Sequence, residues 1–165
     1  MPEKMIDTLP HLENFFRQHQ INISNVQADL ECEEYFGYNF QLNKTNIKFR
    51  KAKITPKKIG QFVTLWRRNA NGITEPFNFK DDFEFYIIYV ERDEQKGFFF
   101  FSKQVLAEKQ ILINGTKDGK RGFRVYPSWD APENKQAEKT QVWQSEFFIN
   151  LGNEADVKKV NSFFI

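Results

Sequence analysis

Residues 83–90 read Phe-Glu-Phe-Tyr-Ile-Ile-Tyr-Val: one charge at Glu84, then an unbroken apolar run. A run this short, rich in aromatic and β-branched residues, is a strand. Because it is apolar on both faces, it is a central strand buried on both sides. Glu91 to Gly97 is a charged turn, and Phe98 to Phe101 returns as the neighbouring strand. Phenylalanine supplies 19 of the 165 residues, so Phe fills the core where Leu would be usual. Each buried Phe contributes about 1.5–3 kcal/mol relative to exposure. A few exposed aromatics would instead be free to stack on bases.

The rest of the chain fits around that pair. Met5, Ile6, Leu9, Leu12 and Phe16 follow helical spacing, with Pro10 as a local fault, and predict a helix over about 3–19. Residues 20–34 read as irregular and increasingly acidic. Phe36, Tyr38, Phe40 and Leu42 alternate with polar residues, and a second strand from about 46 to 54 completes a β-hairpin over 35–54. Thr55-Pro56 reads as a helix start, with Ile59, Phe62, Val63 and Trp66 as its apolar stripe to about residue 69. Residues 73–80 read as a loop. Ser102 caps a short helix to about Leu112, and Phe123 to Tyr126 is a short strand. Asp130-x-x-Glu133 reads as a capping box for a helix over about 132–151, and Asn153-x-x-Asp156 as the start of a last helix over 153–163. The expectation is one α+β domain over 1–165, with a central mixed, largely antiparallel sheet flanked by helices.

Composition removes several function classes. One cysteine, Cys32, rules out an internal disulfide framework. Two histidines near the N-terminus make no His-rich metal site. There is no Gly-x-Ser-x-Gly elbow. No run of 18 apolar residues and no secretory leader is visible, so the expected location is the cytoplasm.

Charge placement narrows the rest. Net charge is only +2, yet residues 48–68 carry Lys48, Arg50, Lys51, Lys53, Lys57, Lys58, Arg67 and Arg68 with no acid. Residues 1–35 carry seven acids to two bases. A second basic knot, Lys117, Lys120, Arg121 and Arg124, surrounds Gly115, Gly119 and Gly122. Basic side chains together with backbone amides suit phosphates. The two clusters are expected to form one basic face, with Arg50 or Lys53 within about 20 Å of Arg121 or Arg124, on the order of two Debye lengths.

Two long segments carry a resemblance. Ile47–Arg68, IKFRKAKITPKKIGQFVTLWRR, and Gly119–Asp130, GKRGFRVYPSWD, followed by Asn134–Gln144, NKQAEKTQVWQ, resemble the signatures of the bacterial MepB-like proteins. The resemblance covers about residues 35–150, with helices 3–19 and 153–163 as additions. It implies a core like that of restriction endonucleases and affinity for nucleic acid. The family's association with a multidrug efflux pump and its regulator also implies a protein partner as an alternative role.

The leading expectation is therefore a DNA-binding protein of low sequence specificity, for single or double strands, monomeric or weakly dimeric and without a cofactor. Arg50, Lys53, Lys57, Lys58, Arg67, Lys120, Arg121, Arg124, Lys135 and Lys139 would contact the backbone. Gln61 and Gln141 would add hydrogen bonds, and Tyr126 or Trp129 would stack. No recognition helix is evident, so base readout is not expected. The alternative is a Mg-dependent nuclease. Such a site needs an Asp on one strand and an acid-x-Lys on its neighbour. Asp82, Glu84 and Lys103 are the candidates, but the acid position reads Phe101, and a phenyl ring ligates no metal. A third reading is a protein-interaction module using exposed Phe.

Overall fold

The computed structural model describes residues 3–164. In chain order the elements are α1 (Glu3–Gln18), β1 (Ile23–Ala28), a 3-10 turn (Leu30–Tyr35), β2 (Tyr38–Leu42), β3 (Thr45–Lys51), β4 (Lys53–Ile54), β5 (Gln61–Thr64), β6 (Trp66–Arg68) and β7 (Thr74–Pro76). There follow β8 (Phe85–Arg92), β9 (Gln95–Ser102), α2 (Lys103–Glu108), β10 (Gly122–Val125), α3 (Lys135–Ser145), β11 (Phe148–Asn150), α4 (Glu154–Lys158) and a 3-10 turn (Lys159–Phe164).

Six strands form the main sheet in the order β1-β2-β3-β8-β9-β11. Only β3 and β8 run parallel, and every other pair is antiparallel. The apolar run of β8 lies at the centre, with Tyr86 to Val90 all buried. Alternate residues of β8 feed two cores. Tyr86, Ile88 and Val90 join Phe99, Phe101, Val63, Leu65, Phe123 and Leu106 on one face. Ile87 and Tyr89 join Phe40, Leu42, Phe49, Phe98 and Phe100 on the other, which is covered by Leu12 and Phe16 of α1 and by Val160 near the C-terminus. The stripe expected for α1 includes Met5, Ile6 and Leu9, whose side chains lie outside the described residues. Pro10 sits inside α1.

The first core is closed by a second sheet, β10-β5-β4. Here the structure departs from the helix expected over 55–69. Gln61, Val63 and Leu65 are buried while Phe62, Thr64 and Trp66 are half-exposed, a period of two. Left-handed backbone at Lys57 (φ 65°) and Gly60 (φ 83°) breaks any helix before it starts. The stripe Ile59, Phe62, Val63, Trp66 fitted a helix because a short apolar run satisfies either period.

Two further expectations are corrected. Residues 20–34 contain strand β1, whose register slips between Ser24 and Gln27 where Asn25 has φ 54°. The long helix expected to 151 ends at Ser145. Phe148 and Ile149 enter opposite cores, so this stretch is a strand against β9. Asn134, not Asp130, caps α3, its side chain accepting from the Ala137 amide. Ser102 and Asn153 cap α2 and α4 by the same device. No helix is long and apolar enough to cross a membrane.

Candidate nucleic-acid interface

The outer face of the β10-β5-β4 sheet begins the site. Lys53 and Arg124 both pair with Phe62, from opposite sides of β5. Directly opposed residues share a face, so Lys53, Phe62 and Arg124 project together and their Cα atoms span two strand spacings, about 10 Å. The strand pairing thus brings together two basic segments 70 residues apart in sequence. Gly122 lies two residues before Arg124 on the same face, opposite Thr64, and its lack of a side chain is required: a Cβ there would stand 2.5 Å from the Phe62 ring.

Arg124 organises the groove beside this sheet. Its guanidinium donates to Thr55 Oγ1 at 2.5 Å, reaches the Ile59 and Gly60 carbonyls at 3.4 Å, and lies 5.9 Å over the Phe62 ring. It pins the 55–60 turn in place, leaving Lys57 and Lys58 exposed at the rim. Gly60 packs directly on Tyr126, where a Cβ would meet the ring at 2.7 Å. On the far side, buried Gln144 of α3 accepts from the Tyr126 amide and donates to the Arg124 carbonyl. Gln144 thereby fixes α3 against β10.

Two adjoining cavities result, each of about 330 Å³, sharing Arg124, Tyr126, Asn134 and Ala137 as their common wall. One reaches Lys57 and Lys58, the other Lys109, Lys120, Gln136 and Thr140. The lining carries five cations, Lys57, Lys58, Lys109, Lys120 and Arg124, against one acid, Glu133. Among the described residues none of these cations has an ion-pair partner. The N-terminus of α3 opens here, so first-turn amides and the positive end of the helix dipole add to the field. Lys135 and Lys139 are exposed one turn apart along the same helix.

The other proposed contacts have structural duties. Arg50 is fully buried, its guanidinium 2.6 Å from Asp29 and bonded to the Phe49 carbonyl, so it does not reach the surface. Gln61 is buried and donates to the Glu91 carbonyl. Gln141 donates to the carbonyls of Pro127 and Asp130. Arg121 clasps the Thr74 carbonyl. Arg67 lies between Glu75 and Asp81 at 3.2 and 3.3 Å, which cancels its charge. Lys53 stays exposed near Glu34 and over the Tyr35 ring. Trp129 packs against the first core in a T-shaped contact with Phe148 at 5.6 Å, with a buried indole nitrogen, and does not line the groove. Tyr126 alone of the two lines the groove.

The nuclease candidates are also engaged. Asp82 accepts from the Asn46 side chain and Glu84 from the Asn46 amide, so both carboxylates anchor the start of β3. The register sets Val90 opposite Gly97, and Glu84 beside Lys103, whose amide donates to the Glu84 carbonyl. Lys103 Nζ sits over the rings of Phe79 and Phe83. Phe101 is buried in the core. Among the described residues no three His, Cys, Asp or Glu side chains are grouped to hold a metal ion.

Sequence reasoning missed Lys109, Gln136, Thr140 and Gln144. Lys109 is a lone base just after α2, and only the packing of α2 against the first core brings it to the groove. Gln144 carried no signal beyond its place in the second signature segment.

A comparison with solved structures finds the crystal structure of MepB, 30% identical, covering 93% of this chain and 100% of that one, with a TM-score of 0.80. A bacterial homing endonuclease also matches, at 14% identity over 89% of this chain and 94% of that one, with a TM-score of 0.49. No curated protein sequence matches. The sequence profile of the MepB-like family matches residues 29–150, which span both signature segments and every residue lining the groove, and on that match the chain belongs to the MepB-like family.

Proposed function

We propose that the groove between the 55–60 turn, β10 and α3 binds the phosphate backbone of DNA with little sequence preference. The observation that carries this reading is the convergence of five unpaired cations on one groove in a chain whose net charge is only +2. Charge so concentrated creates a local field that the net charge hides. The groove's contacts would be ammonium and guanidinium groups with helix amides, which read phosphate and not base edges. Tyr126 offers a ring to an unpaired base, which favours single strands or duplex ends. The large exposed apolar side chains, such as Leu30, Ile54 and Val142, fall on separate elements, the ordinary pattern of a soluble surface.

The test is fluorescence anisotropy of labelled single- and double-stranded oligonucleotides across a salt series. Affinity should fall with salt, with a log–log slope of about 0.9 per phosphate contacted in duplex. Lys57→Ala with Lys58→Ala should lower that slope by about 1.8 and weaken unrelated sequences alike. Affinity indifferent to salt, or unchanged in the double variant, would refute the groove as the binding site.

A further inference from the structure

A further polar cavity, of about 290 Å³, lies at the β1-β2-β3 end of the main sheet. Strands β1, β2 and β3 present it with two rows of side chains: Gln27, Asn39 and Lys48 face one another across the strands, as do Gln41 and Asn46, with Asn25 beside Gln41. The alternate residues Phe40, Leu42, Ile47 and Phe49 fill the core behind. Asn25 donates to Gln41, Gln41 to Asn46 and Asn46 to Asp82. This chain of hydrogen bonds fixes the amides in orientation. The Gln27 side chain has no hydrogen-bond partner among the described residues.

Lys48 is the one amine in the cavity lining. Its Nζ donates to Asn39 Oδ1 at 3.1 Å and lies 4.4 Å over the Phe77 ring. The nearest carboxylate, Asp29, is 3.8 Å away and is held by Arg50 at 2.6 Å. Two cations thus share one carboxylate in a nearly dry site. Burial and a second cation set beside the amine disfavour its ammonium form, the arrangement that makes lysine a nucleophile, while the ring contact is the opposing effect. One donated hydrogen bond leaves the nitrogen lone pair of the neutral amine unengaged.

We propose that Lys48 captures a sugar aldehyde as an imine in this cavity. The nitrogen attacks the carbonyl carbon, a C=N bond replaces the C=O bond, and the oxygen leaves as water with both amine hydrogens. The surrounding amides offer donors and acceptors to the hydroxyls of an open-chain pentose. Burial and the neighbouring Arg50 lower the Lys48 pKa to about 8, against smaller opposing effects of Asp29, Asp81 and Cys32. The neutral fraction at pH 7 is then larger by a factor of about 300 than for an ordinary lysine.

The aldehyde has two sources, a free pentose phosphate or an abasic site in DNA, and the second arm also draws on the proposed groove. The protein is incubated at pH 7 with sodium cyanoborohydride and either 2-deoxyribose 5-phosphate or an oligonucleotide bearing one abasic site. Peptide mapping then locates the adducts. Lys48 should be labelled at least ten times faster than any other lysine, with a rate midpoint near pH 8 set first by its burial and then by Arg50, and Lys48→Met should lose the adduct. Labelling with the sugar phosphate alone assigns a small-molecule ligand, and faster labelling by the oligonucleotide assigns DNA. Adducts spread over the exposed lysines, with Lys48 unmodified in the folded wild type, would overturn the proposal. That mapping does not depend on the variant folding, and it leaves the salt-slope test of the groove unaffected.

Discussion

Keeping Lys48 charged opposes folding, and replacing it should show how much. Its ordinary pKa is 10.5 and its folded value is about 8. At about 1.4 kcal/mol per unit, burying the ammonium costs roughly 3 kcal/mol at any pH where it stays protonated in both states. Lys48→Met removes that cost and keeps apolar contact with Phe77. It also removes the hydrogen bond to Asn39, about 1 kcal/mol. The variant should therefore be more stable at pH 7 by about 2 kcal/mol. The sign with pH follows from proton counting. Between pH 8 and 10.5 the unfolded chain binds the proton and the folded protein does not, so wild-type stability rises relative to the variant. The difference should close through that window and reverse near its upper end. Urea unfolding followed by tryptophan fluorescence at pH 7, 8, 9 and 10 reads it: with a slope of about 2 kcal/mol per molar, the midpoint shift at pH 7 is about 1 M. A variant less stable than wild type at pH 7, or a difference constant from pH 7 to 10, would refute the reasoning.

Two other outcomes are expected. Asp29→Ala strands Arg50 and Lys48 without their shared carboxylate and also uncaps the Leu30–Tyr35 turn; it should lose about 3–5 kcal/mol in the same urea experiment, and a loss below about 1 kcal/mol would mean that water reaches Arg50. Supercoiled plasmid incubated with the protein and Mg²⁺ or Mn²⁺ should stay intact on a gel, since Asp82 and Glu84 are committed to Asn46; nicking that disappears in Asp82→Ala and Glu84→Ala would make those residues catalytic.

Long-period patterns were readable from the sequence and local reversals were not. The apolar run of β8 announced a central strand because nothing but two-sided burial accommodates it. The basic segments were visible because charge does not depend on guessing the fold. The helix assigned to 55–69 failed where it mattered most, since that segment carries Lys57 and Lys58 into the groove. Its decisive residue was Gly60, whose left-handed backbone and contact with Tyr126 depend on a strand 65 residues away. Arg50 looked like a surface cation for the opposite reason. Its carboxylate, Asp29, lies across two strands, and alternation along β3 alone does not reveal that the polar side is covered. The amide rows at Gln27, Asn39 and Lys48 required the register of three strands, which sequence spacing cannot supply.

The covering of the second core face has a consequence for how the chain is made. Leu12 and Phe16 of α1 pack with Phe98, Ile149 and Val160. At synthesis rates of about 5–20 residues per second, the roughly 80 residues from α1 to Phe98 take about 4–16 s to appear. Throughout that time Leu12 and Phe16 have at most the β1-β2-β3 strands to lie on, without Phe98 and Phe100 of β9. Even then the face is open until β11 adds beside β9 and Val160 closes over it. A nascent chain halted between residues 102 and 148 would hold β8 and β9 with an unsealed face and an unpaired edge on β9. That stalled intermediate, not the finished protein, is the form most exposed to aggregation and most in need of a chaperone.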